Sequence, residues 1–216
     1  MNARFLITSF ALSVTLLCHA EDPPKADQVA RLVRAFVFAR KPDFNTNTEF
    51  KVRKLDIKGL WEEMKTEVVY VDCKIKGSNP PDDQFMEFGF AIYYGGKIVE
   101  FEEWPAIMSG LVSNGDFYYT WVFGSGLVRS QVVRLRIADG KVEISKSAEF
   151  PDQDQYGLLF VSAGPGGKVR VSSGMYTGEF NQCEEPKKDI GFVGETNSSG
   201  QLQIVDANGK VVTPAD

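Results

Sequence analysis

The chain has 216 residues, a formal net charge of −5 and 43% hydrophobic residues, with 16 phenylalanines among them. That apolar content belongs to a packed protein and excludes a disordered one. The acidic balance gives no electrostatic reason to approach nucleic acid or an anionic lipid surface.

Residues 1–20 read as an export signal. Arg4 supplies the positive start, and "FLITSFALSVTLLC" is an apolar run of signal-core length. It falls short of the roughly 20 residues that a membrane span needs. Small residues at Cys18 and Ala20 place cleavage after Ala20. Lipid attachment at Cys18 wants a small residue before it, and Leu17 stands there instead. Residues 21–216 are then expected to be secreted or periplasmic, with no membrane insertion. They form one β-rich domain that can divide into two lobes near residue 105.

His19, the single histidine, lies inside that signal. Its loss excludes Ser-His-Asp and Cys-His nucleophiles, imidazole bases and histidine-ligated metals. Cys73 and Cys183 remain, too few thiols for a structural zinc site without other ligands. In an oxidising compartment they read first as a disulfide. Two unpaired thiols are the alternative, because Cys73 shares a strand face with Val69, Val71 and Ile75 and suits a buried free cysteine.

"DPPKADQVARLVRAFVFARKP" predicts an amphipathic helix capped by Asp22 and stopped by Pro42, with Val29, Leu32, Val33 and Phe36 as its apolar stripe. "LWEEMK" predicts a second, shorter helical turn. From Glu67 onward the apolar period becomes two and the chain reads as antiparallel hairpins. "FAIYYGGKIVEF" turns at Gly95-Gly96 and sets Phe90 opposite Phe101 and Ile92 opposite Val99. "LRIADGKVEI" turns at Asp139-Gly140, pairing Ile137 with Val142, Arg136 with Glu143 and Leu135 with Ile144. "IVDANGKVV" turns at Asn208-Gly209, with Val205 facing Val212. "GLLFVSAGPGGKVRVSSG" gives a fourth hairpin, while "GSNPPDD" and "EEPKKD" read as exposed loops. The expected fold is mainly β (α+β): an N-terminal amphipathic helix packed on antiparallel hairpins that form a curved sheet or sandwich.

"NGDFYYTWVFGSG" concentrates aromatics on one strand. Phe117, Tyr119, Trp121 and Phe123 share a face, and its expected role is core packing against the Met86, Phe88, Phe90, Ile92 face. Tyr118 points the other way. With Trp104 it is the candidate ligand contact, since such rings join an apolar body to a polar tip.

Chemistry without histidine leaves carboxylates. In "VEFEEW" the hairpin register sets Glu100 opposite Ala91 and Glu102 opposite Gly89, so two carboxylates share a face with small partners. That is the minimum equipment for glycoside hydrolysis. A solvated face, or an ion pair with Arg31 or Arg34 of the helix, is the plainer reading. "DQDQYG" offers Asp152 and Asp154 at calcium-loop positions, but Tyr156 and Ala163 stand where further oxygen ligands belong. No other cofactor is expected. "SAGPGGKV" departs from a phosphate loop at Ser162 and Val169. Asn197 in "NSSG" would be a glycosylation acceptor in a eukaryotic secretory pathway.

Three functions follow as expectations. The first is a non-catalytic exported module that binds a polysaccharide or an envelope or extracellular protein. The second is a glycoside hydrolase or lyase working through Glu100 and Glu102. The third is a structural subunit that pairs through its hairpin edges.

Overall fold

Side chains alternate across a strand, so an apolar period of two buries one face of each strand. Here the pattern produces three antiparallel meanders in succession. The computed structural model describes residues 22–41, 47–75, 85–103, 106–123, 128–151 and 157–214. The expected signal with its His19, the candidate contact Trp104, the calcium-loop residues Asp152 and Asp154, and the "GSNPPDD" loop lie outside them.

The first sheet runs in the order β1 (Thr48–Lys54), β2 (Thr66–Ile75), β3 (Met86–Tyr94) and β4 (Lys97–Glu103). The second runs β5 (Ala106–Ser113), β6 (Asp116–Phe123), β7 (Arg129–Ala138) and β8 (Lys141–Lys146), with the short β9 (Phe150–Pro151) also on β7. The third runs β10 (Leu158–Ala163), β11 (Val169–Tyr176), β12 (Cys183–Thr196) and β13 (Leu202–Val205). A helix, α1 (Ala26–Arg40), precedes the sheets, and a short one, α2 (Leu60–Met64), joins β1 to β2. The protein is thus mainly β with one long helix near its N-terminus, in line with the sequence reading.

Three apolar layers hold these elements together. Val29, Val33 and Val37 of α1 pack on Val69, Val71, Phe88 and Ala91 of the first sheet. Phe90 and Ile92 on the other face of that sheet meet Phe117, Tyr119, Trp121, Val133 and Leu135 of the second. The expected ring face is therefore core. Val132, Leu159, Val171 and Ile204 fill the layer between the second and third sheets. Each such side chain stabilises the fold by roughly 1.5–3 kcal/mol. Strand β10 is the edge of the third sheet, and hydroxyls of the second sheet satisfy its bare amides. The Val161 N–H donates to Ser109 Oγ at 2.8 Å and the Leu159 N–H to Ser130 Oγ at 3.3 Å. An edge covered this way is no template for another strand.

Several expectations need correction. Asp22 does not cap α1, because the helix starts after Lys25, which makes no side-chain capping bond. The buried stripe is Val29, Val33 and Val37, with Leu32 and Phe36 at its half-buried margins. Strand β1 precedes the stretch from Glu67 onward that reads as hairpins, although it follows the same period of two: Phe50 and Val52 turn toward α1 while Lys51 and Arg53 stay outward. "EEPKKD" is not a loop but part of β12, an exposed strand with register shifts around Pro186.

The Asp139-Gly140 hairpin has the expected register throughout. The hairpin at Asn208-Gly209 is slipped by one residue, so that Val205 pairs with Val211. The Asp206 carboxylate accepts from the N–H groups of Asn208 and Lys210 at 2.8 and 2.9 Å and closes the turn one residue earlier.

Two bulges reshape the centre of the first sheet. Val71 pairs with Gly89 but Asp72 with Glu87, so Phe88 is an extra residue. Phe88 turns under the helix and Met86 is left exposed, while Phe90 and Ile92 still face the second sheet. On β4 the turn at Gly95-Gly96 is as expected and Tyr93 pairs with Ile98. Beyond it Ile92 pairs with Glu100, Ala91 with Phe101 and Phe90 with Glu102. Val99 is the extra residue. Phe101 thereby moves to the helix side, where its ring centroid lies 5.5 Å from Phe88 and 6.5 Å from Phe36.

The expected disulfide is absent, and both cysteines are free. Cys73 packs beneath α1 with Val69 and Val71, whereas Cys183 opens β12 in the third sheet, close against Gly174. Burial pushes the Cys73 thiol pKa up, which suits an inert core thiol.

Candidate functional site

The slip at Val99 decides where the carboxylates go. Glu100 and Glu102 lie opposite Ile92 and Phe90, not opposite Ala91 and Gly89. They therefore point into the rim of the layer between the first two sheets, beside the ring of Tyr119. Burial, followed by a hydrogen bond to Glu102 and repulsion from its charge, raises the Glu100 pKa to about 7. Lys146 of β8 and Arg40 of α1 oppose that rise. Lys146 Nζ donates to Glu102 Oε1 at 2.9 Å and stands 4.3 Å from the centre of the Trp121 ring. The Trp121 indole N–H in turn donates to Gln131 Oε1 at 3.1 Å. Tyr119 is fully buried, and burial with the two carboxylates nearby drives its pKa well up.

The helix does supply cations to β4, though not the expected ones. Lys41 pairs with Glu103 and Arg40 bears on Glu100. Arg31 pairs with Asp27 within the helix, and Arg34 donates to the Thr48 carbonyl at 3.2 Å. A cavity of about 310 Å³ between α1 and β4 is lined by Phe36, Arg40, Lys41, Phe101, Glu102 and Glu103.

Glu100 carries a stability prediction. An unfolded glutamate titrates near ~4.3, so between that pH and about 7 the folded state holds more protons than the unfolded one. Stability is then greatest at acid pH and falls as pH rises through the folded pKa. Glu100→Gln is expected to remove most of this slope and to be more stable than the parent at pH 8, by on the order of 2 kcal/mol. Urea midpoints at pH 5 and pH 8 check it; equal slopes in parent and variant would show that Glu100 ionises freely.

Tyr118 lies on the opposite face of β6, half-buried toward the third sheet. Its hydroxyl donates to Asp116 Oδ2 at 3.3 Å. Burial, and then the Asp116 charge, raise its pKa, while Arg134 counters them. Asp116 is buried and also accepts from Arg136, at 2.9 Å from Nε and 2.6 Å from Nη2. These residues wall a groove of about 450 Å³ between the second and third sheets. Asn114, Tyr118, Arg134 and Arg136 form one side, and Gly167, Lys168 and Phe192 stand on the other. Ser113 Oγ and Asn114 Nδ2 donate to the Gly167 carbonyl at 3.2 and 3.3 Å, and tie the two turns together across the groove.

A cavity of about 610 Å³ surrounds α2, and Lys54 at its edge is already paired with Glu67. Among the described residues no cluster of three or more His, Cys, Asp or Glu side chains is arranged to hold a metal ion.

Of the groove residues, Tyr118 is a candidate on sequence grounds, whereas Arg134, Arg136, Asn114 and Lys168 are not. On sequence grounds Arg136 pairs with Glu143. The register with Glu143 is right, yet the guanidinium turns to Asp116, its partner on the other neighbouring strand. The alternation of Val132, Arg134 and Arg136 was a readable signal, since two arginines interrupt an apolar face. No protein-family model matches this chain, and comparison with the curated proteins and with the solved structures finds no similar protein.

Proposed function

We propose that the chain is an exported, non-catalytic, β-rich binding module that holds a polysaccharide in the groove beside Tyr118. The observation that carries this reading is the groove itself. Its volume falls within the roughly 300–1,000 Å³ of small-ligand sites. It combines the amphipathic ring of Tyr118 with the guanidinium of Arg134, the amide of Asn114 and the ammonium of Lys168. A ring for stacking and several donors for hydroxyl groups are what a sugar needs.

The carboxylate-enzyme reading has less support. Glycosidase carboxyls stand about 5–9.5 Å apart, to admit a sugar carbon or a water. Glu100 and Glu102 instead hydrogen-bond to one another, and Glu102 is further held by Lys146. Pairing through hairpin edges is also the weaker alternative, because outer strands β1 and β8 carry Lys51, Arg53, Lys141 and Glu143.

The test is a thermal-shift panel of neutral and acidic soluble glycans, run on the protein and on Tyr118→Leu, which keeps an apolar side chain in place. Selective binding to the folded state raises Tm, by an amount worth about 2.7 kcal/mol at a hundredfold excess over Kd. At least one glycan is expected to shift the parent and to lose that shift in the variant. A flat panel, or a shift that survives Tyr118→Leu unchanged, removes the proposal.

A further inference from the structure

We infer that the groove is built for an acidic polysaccharide, with the carboxylate or sulfate of one sugar seated on the Arg134 guanidinium. The inference rests on the binding-module function proposed for this groove and narrows its ligand. Arg134 is only 7% exposed. It comes from β7, on the face that carries Val132 and Arg136 toward the third sheet, and its cross-strand neighbour is Tyr118, whose uncharged hydroxyl is its hydrogen-bond partner. A guanidinium cannot lose its proton to suit burial. A buried cation is therefore costly unless an opposite charge meets it.

Among the described residues no carboxylate forms an ion pair with Arg134. The acid best placed to do so, Asp116, is already occupied by Arg136 and by the Tyr118 hydroxyl. Lys168, on the opposite wall, stands 5.3 Å from the Phe192 ring centre, a partner with no formal charge. Glu195, the other acid at the groove, is exposed and bears on Arg136. Among the described residues that line the groove, Arg134, Arg136 and Lys168 meet two acids, Asp116 and Glu195, on a chain whose net charge is −5. An incoming anion supplies the missing charge. The planar fork of Arg134 matches a carboxylate or a sulfate through paired N–H donors, and Lys168 adds a point charge at the rim. A neutral sugar would use the ring and the donors but leave Arg134 uncompensated.

Calorimetric titration of the whole protein tests this with three oligosaccharides of equal length: an oligogalacturonate, a sulfated chondroitin fragment and a neutral xylo-oligosaccharide. At least one acidic oligomer is expected to bind about tenfold or more tightly than the neutral one, with an affinity that falls as salt rises. Arg134→Gln is expected to weaken that binding by about ten- to a hundredfold. Lys168→Gln, on an exposed turn, is expected to weaken it severalfold, and Lys51→Gln, on the far sheet, to leave it unchanged. Preference for the oligogalacturonate identifies carboxylate as the anion; preference for the chondroitin fragment, which carries carboxylate as well as sulfate, identifies sulfate only when its desulfated form loses the affinity. Neutral binding as tight as acidic binding overturns the inference and leaves the binding module standing. Acidic binding that is untouched in both groove variants does the same. If Arg134→Gln fails to fold, an unchanged Lys168→Gln overturns it alone. Failure of all three oligomers, together with a flat glycan panel, sinks the binding module as well.

Discussion

Phe90→Ala is expected to lower the free energy of unfolding by about 3–5 kcal/mol. Phe90 has no solvent exposure and stands at the centre of the layer between the first two sheets. Its ring meets Tyr119 edge-on at 5.9 Å and Trp121 at 6.4 Å between centroids. Removing it forfeits the transfer of the ring from water and leaves a cavity walled by strands of two sheets. Those strands cannot close on it, because their positions are set by their own ladders. The same change strips two aromatic edge contacts, each worth roughly 0.5–1.5 kcal/mol. Urea denaturation with fluorescence of Trp121 and the other tryptophans would read both the loss and its site. A loss below about 1 kcal/mol would mean that the two sheets do not share this layer.

Gly89→Ala is expected to cost at least about 3 kcal/mol, for a reason of a different kind. Gly89 has φ +156° and sits beside the bulge that turns Phe88 under the helix. A Cβ placed there would lie 1.9 Å from the Glu102 carbonyl oxygen and 3.1 Å from the Glu103 Cα. Both are backbone atoms, so no side chain can swing away, and β3 must separate from β4. Gly95→Ala is the matched control. It also has positive φ, +56°, but nothing lies within 4 Å of the added carbon. Its expected cost is only about 1–2 kcal/mol, the left-handed penalty alone. If the two alanines cost the same, the close approach of β3 and β4 is not rigid. Because the Glu102 backbone is what the new carbon strikes, Gly89→Ala should also disturb the ionisation of Glu100. A carboxyl titration would see that independently of stability.

Glu100 and Glu102 show how a correct turn can still give a wrong site. The glycine pair at Gly95-Gly96 set the hairpin, and the register was right as far as Tyr93 and Ile98. Beyond that point, alternation within β4 could not announce the extra residue at Val99. The cause lies in other elements: Phe101 is drawn to the helix side by Phe36 and Phe88. With a side-chain period of two, one inserted residue exchanges the faces of everything after it. Two carboxylates expected beside small, open partners are consequently found between two sheets, and one of them becomes a weak acid. By contrast, the Asp139-Gly140 hairpin kept its register because local turn chemistry, apolar pairing and charge pairing all agreed.

By itself the sequence determined that this is a mainly β protein with a long amphipathic helix near its N-terminus, where two of its tight turns fall, and that the Phe117, Tyr119, Trp121, Phe123 face is core. Those features depend on neighbours in the chain, where glycine conformation and side-chain alternation act directly. Only the tertiary structure decided that the two cysteines stay apart, that Glu100 and Glu102 meet inside a layer, and that Arg134 and Lys168 converge on Tyr118. Each of these joins strands distant in sequence, or turns on a bulge set by packing from another element. Burial and unmatched charge, which make such residues chemically informative, exist only once the sheets have stacked.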